Sequence, residues 1–277
     1  MTTLPCHITW NPDVSPFSIG DFEIRYYSIC WIAAIGIGYL IMQHLYKKQG
    51  KSQELFEPLF MYCFIGILLG ARLGHCLFYE PQYYLSGVSN FLEMLLPVKI
   101  TGSGWEFIGY QGLASHGGTI GLFLGLLAYS RNYKVHFTWL LDNIAITTPI
   151  SAAFIRLGNF MNSEILGRAT DSPLGIIFAQ VDNVPRHPAQ LYEAIAYLLF
   201  FVVGWILYRK SPKKVGSGFF FGYCLATIFT FRFFVEFIKE VQVDFEQGMT
   251  LDMGQWLSIP FMIIGIYYII KSSKKAA

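Results

Sequence analysis

Apolar residues in this chain fall into long runs rather than strict alternation, and polar stretches rich in Gly, Pro, Asn and Lys separate the runs. Seven runs reach or approach the roughly 20 residues that a helix needs to cross a hydrocarbon layer. They are Tyr26 to Tyr46, Leu55 to Tyr79, Gly112 to Tyr129, Phe137 to Phe160, Gln190 to Tyr208, Gly218 to Ile238 and Gly254 to Ile270. The pattern predicts an all-α integral membrane protein with about seven transmembrane helices. Residues 1–277 form a single polytopic membrane domain with two sizeable external segments, 80–111 and 161–189. Ahead of the first run, turn signals at Asn11-Pro12-Asp13, Pro16 and Gly20-Asp21 interleave with Ile19, Phe22 and Ile24, which predicts a short hairpin or amphipathic piece. At 54% hydrophobic and 14% charged, the composition excludes an ordinary soluble domain.

Charge sets the expected orientation, because cytoplasmic loops retain Lys and Arg. Twelve of the 20 basic residues fall in one alternating set of connections: Lys47, Lys48, Lys51, Arg131, Lys134, Arg209, Lys210, Lys213, Lys214, Lys271, Lys274 and Lys275. The other set holds Arg25, Lys99, Arg168, Arg186 and Lys239, while Arg72, Arg156 and Arg232 lie inside runs. The N-terminus is therefore expected outside and the C-terminus inside. The first 25 residues are polar or mixed and the first apolar run is a full span, so no short cleavable signal is expected. Cys6, Cys30, Cys63, Cys76 and Cys224 form no CxxC pair and read as small apolar filling. No nucleic-acid patch is evident, and the net charge of +2 adds nothing once topology accounts for the lysines.

Candidate chemistry begins where the fourth run ends, at Arg156-Leu157-Gly158-Asn159-Phe160-Met161-Asn162-Ser163-Glu164-Ile165-Leu166-Gly167-Arg168. An ionisable group at membrane depth is costly and marks a functional site by default. Arg156 and Asn159 share a helix face three residues apart and can aim a guanidinium fork and a carboxamide at one ligand. The alternative is an Arg that pairs with a carboxylate on a neighbouring helix and only holds the bundle together. In the second run, Arg72 and His75 accompany Gly66, Gly70 and Gly74, whose spacing allows close helix contact. Ser115-His116-Gly117-Gly118 opens the third run; Ser115 can cap it, the free N–H groups make an anion site, and His116 can accept a proton. Gln190 and Glu193 follow Pro188, and Arg232 and Glu236 lie four apart, where an intrahelical ion pair is the plainer reading.

Depth joins these residues. Tyr27, Arg72, His116, Arg156, Asn159, Gln190, Glu193, Arg232, Glu236 and Gln255 all fall at or near the outer ends of different runs, and nothing comparable lines the inner half. Three arginines, amides, a His and a helix start at headgroup depth suit an anionic phosphate whose acyl chains stay in lipid.

The stretch from Arg156 to Arg168 resembles the signature of the bacterial phosphatidylglycerol:prolipoprotein diacylglyceryl transferases. Similar segments follow in the family order: His116-Gly117-Gly118, Arg186-His187-Pro188-Ala189-Gln190-Leu191-Tyr192-Glu193, Phe231-Arg232 with Val235-Glu236-Phe237, and Gly254-Gln255-Trp256-Leu257-Ser258-Ile259-Pro260. The resemblance implies transfer of the diacylglyceryl group of phosphatidylglycerol to the lipobox cysteine thiol of a prolipoprotein signal peptide, with release of glycerol phosphate, in the bacterial cytoplasmic (inner) membrane. It implies no metal or cofactor and no nucleic-acid partner. Taken with the depth argument, it makes His116, Arg156, Arg232 and Glu236 the expected catalytic set. Tyr27, Arg72, Gly117, Gly118, Asn159, Asn162, Glu164, Gly167 and Gln190 are the expected substrate-binding set. Two positions depart from the family pattern: Ile155 stands where Gly usually precedes the Arg, and Ile228 where a Tyr often precedes Arg232. A transporter or binding protein for an anionic lipid headgroup is the rival reading; it would use the same arginines without chemistry.

The charge asymmetry gives a direct test. Tags at Lys48, Arg131, Lys213 and Ala277 are expected to react only from the cytoplasm, and tags near Gly87 or Asp182 only from outside. Labelling of Lys213 from outside intact cells would overturn the orientation.

Overall fold

The computed structural model describes residues 7–19, 22–102, 104–109, 112–240 and 248–275. Long helices dominate: α1 (Tyr26–Lys48), α2 (Gln53–Phe78), α5 (Ser115–Asn132), α6 (Phe137–Met161), α7 (Ala189–Lys210), α8 (Phe219–Val235) and α9 (Met253–Lys275). Between α2 and α5 come the short helices α3 (Pro81–Tyr84) and α4 (Val88–Leu95). A one-turn 3₁₀ segment, Glu236–Ile238, extends α8. Of the described helices, six are long and apolar enough to cross a membrane: α1, α2, α6, α7, α8 with its extension, and α9.

The third expected span is the exception. Gly112 has φ +77°, outside helical space, so the helix starts three residues later than the apolar pattern suggests. Its 18 residues then include Ser115 and His116 at one end and Arg131 and Asn132 at the other, which leaves too short an apolar core. Ala114, not Ser115, occupies the N-cap; its N–H donates to the Ala71 carbonyl of α2 at 2.9 Å.

The chain divides into two compact units, Tyr46–Leu140 and Met1–Leu45 with Leu141–Ala277. In the first unit, α2 and α5 meet backbone to backbone. A Cβ on Gly74 would lie 2.8 Å from Gly117 Cα, one on Gly121 would lie 2.9 Å from Gly70 Cα, and one on Gly125 would run into the Tyr62 carbonyl. Small residues at four-residue spacing permit this approach and replace side-chain interdigitation with dispersion contacts. α3, α4 and a hairpin of β4 (Val98–Thr101) and β5 (Gly104–Phe107) form an arm after α2, as the Pro and Gly content of 80–111 suggests.

In the second unit, β2 (Phe17–Ile19) pairs with β3 (Phe22–Ile24) in the expected hairpin, whose Gly20-Asp21 turn lies outside the described residues. β1 (Ile8–Trp10) runs parallel to β6 (Ile176–Phe178), which pairs in turn with β7 (Pro185–Arg186). This sheet ties the start of the chain to the segment after α6. Trp10 seals the join, its ring centroid 4.4 Å from that of Phe160 and its indole N–H donating to the Phe160 carbonyl at 3.2 Å. At the opposite end of α6, the buried Asp142 carboxylate accepts the N–H groups of Gly216, Gly218 and Phe221 at 2.8–2.9 Å, capping the start of α8. The end of the fold away from the Arg156 turn is therefore not free of buried carboxylates, but this one is satisfied by backbone and its role is structural.

Replacing Gly121 with Ala is expected to force α2 and α5 apart, because the new Cβ falls on the Gly66 carbonyl oxygen. Overpacking of this kind costs typically about 1–3 kcal/mol, read as a lower midpoint in thermal unfolding of the purified protein, whereas Gly87→Ala, which meets nothing, should leave the midpoint unchanged.

Candidate functional site

The polar cluster of the second unit grows from the last turn of α6. Arg156 NH1 donates to Asn159 Oδ1 at 3.1 Å, which realises the shared face expected from their spacing. Asn159 is buried, and its Nδ2 passes the chain on to Glu164 Oε1 at 2.7 Å. Glu164 reaches back because the turn after α6 is sharp: Ser163 and Ile165 take φ of +52° and +59°. Left-handed backbone at a β-branched residue costs on the order of 1–3 kcal/mol and marks sites where geometry outranks comfort.

α7 supplies the second wall. Gln190 donates through Nε2 to the Glu164 carbonyl at 2.6 Å. Glu193 is fully buried; its Oε2 lies 3.1 Å from Arg156 Nε, close enough for an ion pair but without the alignment of a hydrogen bond. The expected alternative for Arg156, a carboxylate on a neighbouring helix, is thus present together with the Asn159 contact. Tyr197, one turn further along α7, donates to Glu193 Oε1 at 3.0 Å. Lys239 lies 3.4 Å from Glu193 and 3.0 Å from Glu236 Oε2.

Arg232 and Glu236 do not form the intrahelical pair. The helix tightens to 3₁₀ at Glu236, and its carboxylate turns to Lys239, three residues on. Arg232 is half-buried, within electrostatic reach of Tyr197 as Arg156 is, and its side chain makes no hydrogen bond or ion pair among the described residues. α9 meets this corner with Gly254, where a Cβ would lie 2.6 Å from Glu236 Oε1. Gln255 locks the start of α9: Nε2 donates to the Phe233 carbonyl at 3.2 Å and Oε1 accepts the Asp252 N–H at 3.0 Å.

Two expected binding positions are explained by packing. The Tyr27 ring lies against Gly158, where a Cβ would come within 2.9 Å of it, so the tyrosine sits beside the Arg156 turn. Gly167 is wedged between His187 and the Ile238 carbonyl, where a Cβ would fall 2.5 Å and 3.0 Å from them; its N–H donates to the His187 carbonyl. Asn162 is half-buried, with its Oδ1 shielded from solvent. Buried side-chain polar atoms without a hydrogen-bond partner among the described residues are Asn162 Oδ1, Ser163 Oγ, Gln190 Oε1 and Glu193 Oε2. Each such atom costs roughly 1–3 kcal/mol. All belong to the turn after α6 or the first turns of α7.

The remaining expected residues lie in the other unit. Arg72 donates from Nε to the Met94 carbonyl at 3.2 Å and from NH2 to the Glu93 carbonyl at 2.7 Å, and it stacks 4.9 Å over the Tyr84 ring. Its guanidinium holds the arm against α2. Burial raises the pKa of the adjacent Glu93, but the Ile100 N–H, the Tyr83 hydroxyl and the Lys99 and Arg72 charges outweigh it, leaving the carboxyl below the usual range. His116 is exposed in the first turn of α5. Gly117 abuts the backbone of Gly70 and Gly74, and Gly118 faces Ala71.

Sequence reasoning missed Lys239 and Tyr197. The available signals were weak, a Lys three residues after Glu236 and a Tyr four after Glu193, and neither distinguishes an inward from an outward side chain.

Known proteins show the same arrangement of sequence. The family model described as prolipoprotein diacylglyceryl transferase matches residues 15–271. A protein of Bacteroides fragilis named phosphatidylglycerol--prolipoprotein diacylglyceryl transferase is 55% identical over 276 residues, covering 99% of each chain. Proteins of the same name from Tolumonas auensis and Chloroherpeton thalassium are 40% and 38% identical, the first covering 97% of this chain and 98% of its own, the second 98% and 96%. With a match that runs through the arm, the α6 turn and the α8–α9 corner alike, the chain belongs to the prolipoprotein diacylglyceryl transferase family.

Proposed function

We propose that this chain transfers the diacylglyceryl group of phosphatidylglycerol to the lipobox cysteine thiol of prolipoproteins, with the chemistry organised by the α6–α7–α8 corner. Arg232 carries the reading: its guanidinium is half-buried and makes no hydrogen bond or ion pair among the described residues, so its donors can be given to an anionic ligand. In the reaction the substrate thiolate attacks C3 of the lipid glycerol. A C–S bond forms, the C–O bond to phosphate breaks, and the pair of electrons leaves on the phosphate oxygen. Arg232 and the free edge of Arg156 hold that growing charge, as preorganised donors do most efficiently in a dry site. Asn159 fixes the Arg156 plane, and Tyr27 fills the space beside it. The thiol proton requires a base, since a thiol of ordinary pKa is mostly protonated at neutral pH. His116 is assigned that role, with Glu236 and Glu164 next in order.

The transmembrane arrangement follows the same proposal. α5 is taken as a seventh crossing because its glycines pack directly on the backbone of the spanning helix α2, and the distribution of basic residues favours an outside N-terminus. The site then faces the outer leaflet of the inner membrane.

Incubation of the purified protein with phosphatidylglycerol and a lipobox peptide is expected to add one diacylglyceryl group to the peptide mass. Lipid binding without that gain would favour a binding protein or transporter. Arg156→Lys keeps the charge but loses the planar fork and is expected to lose most of the activity. Near-normal transfer by a folded Lys variant would return Arg156 to a packing role. His116→Gln is expected to slow transfer by about 10²- to 10⁴-fold and to flatten the pH profile between about pH 5.5 and 9. A parallel profile, lowered less than about tenfold, would move the base to a carboxylate.

A further inference from the structure

Lys239 is 2% exposed, and no other lysine among the described residues is buried. Burying an ammonium is costly unless close partners compensate, so its surroundings indicate what it is for. The ammonium touches two carboxylates that belong to different elements: Glu236 at 3.0 Å on the extension of α8, and Glu193 at 3.4 Å on α7. Its carbonyl accepts Arg168 Nε at 2.9 Å, which fixes the backbone from which the side chain extends. Glu193 in turn faces three donors: Lys239, the Tyr197 hydroxyl at 3.0 Å and Arg156 Nε at 3.1 Å, the last poorly aligned.

We infer that Lys239 is a positioning residue that keeps Arg156 available to an anionic ligand. This rests on the phosphate-binding role proposed for Arg156 above. A carboxylate shared with Lys239 and Tyr197 binds Arg156 loosely, leaving guanidinium N–H groups for a phosphodiester. Without Lys239, two buried carboxylates would face the remaining cations, and Glu193 would draw Arg156 into an aligned, two-pronged pair. The charged and titratable groups of this corner are Arg156, Glu164 and the exposed Arg168 from α6 and the segment after it, Glu193 and Tyr197 from α7, and Arg232 and Glu236 from α8 and its extension. α9 contributes the neutral Gly254 and Gln255. Among the buried and half-buried groups, three cations, counting Lys239, balance three carboxylates, and loss of Lys239 leaves those carboxylates in excess, since the exposed Arg168 is engaged by the Lys239 carbonyl.

The test uses the purified full chain in detergent micelles, with binding of phosphatidylglycerol and of zwitterionic phosphatidylcholine measured from about pH 5.5 to 8.5. Lys239→Met is expected to weaken phosphatidylglycerol binding at least about fivefold at pH 8. Lys239→Arg should bind as the wild type does, and the double variant K239M/E193Q should recover phosphatidylglycerol binding, because the carboxylate that captures Arg156 is gone. Phosphatidylcholine binding should stay constant throughout. Phosphatidylglycerol binding by Lys239→Met within about twofold of wild type across the range would overturn the inference, as would an equal loss for both lipids. If Lys239→Met does not fold, the double variant decides alone: failure to bind phosphatidylglycerol sinks the inference. Transfer is assayed in parallel, and a wild-type chain that binds in the expected pattern yet transfers nothing would refute the transferase reading while upholding the role of Lys239.

Discussion

A carboxylate withdrawn from water must be met by cations and donors or it will not stay ionised, and Glu193 is the carboxylate on which this molecule's functional corner turns. It is fully buried, and through it α6, α7 and the end of α8 share one electrostatic account: Arg156, Tyr197 and Lys239 converge on two oxygens. Removing one partner from a buried pair costs about 3–5 kcal/mol, far more than an exposed bridge such as Arg186 to Glu240 contributes. Helix positions at this corner are therefore fixed by charge neutrality as much as by packing. Asp142 does the same at the other end of α6, with backbone N–H groups as its partners.

Around Glu193 the chain accepts local costs that would be eliminated in a purely structural region. Ile165 sits at positive φ, the acceptors of Asn162 and Gln190 go unanswered among the described residues, and Arg232 lies half-buried within electrostatic reach of Tyr197. Such costs persist only where surrounding structure over-determines the geometry. The surroundings here are the three-stranded sheet and the stack of Trp10, Phe160 and Phe178, which pack against the α6 turn together with Leu191 of α7. A rigid turn beside guanidinium donors held in place is suited to stabilise negative charge that develops during a reaction, because little reorganisation is then needed.

The three membrane arginines show how one residue type serves unlike ends. Arg72 is consumed by carbonyls of the arm and the face of Tyr84, so its planar fork acts as a strut. Arg156 is held by one amide and one shared carboxylate. Arg232 is held by nothing among the described residues. Availability of the guanidinium, rather than its depth in the bilayer, separates scaffold from candidate ligand.

The order of apolar runs determined most of the architecture. Helices α1, α2, α6, α7 and α9 begin and end within a few residues of the runs that predict them, because a 20-residue apolar stretch has few other ways to satisfy its backbone in lipid. The β2–β3 hairpin was legible from its turn residues, and the pairing of Arg156 with Asn159 from helical periodicity. The start of α5 was not, since an apolar count does not register the positive φ of Gly112. Nor was the parallel pairing of Ile8–Trp10 with Ile176–Phe178, which joins segments more than 160 residues apart and carries no local signal. The polar corner was half legible: its residue types were visible, but their partners were not. Which carboxylate Lys239 meets, why Arg232 and Glu236 decline each other, and how Arg72 is used depend on where separate helices place their ends. Tertiary structure alone sets those distances, and at buried sites they decide the energy of a charge.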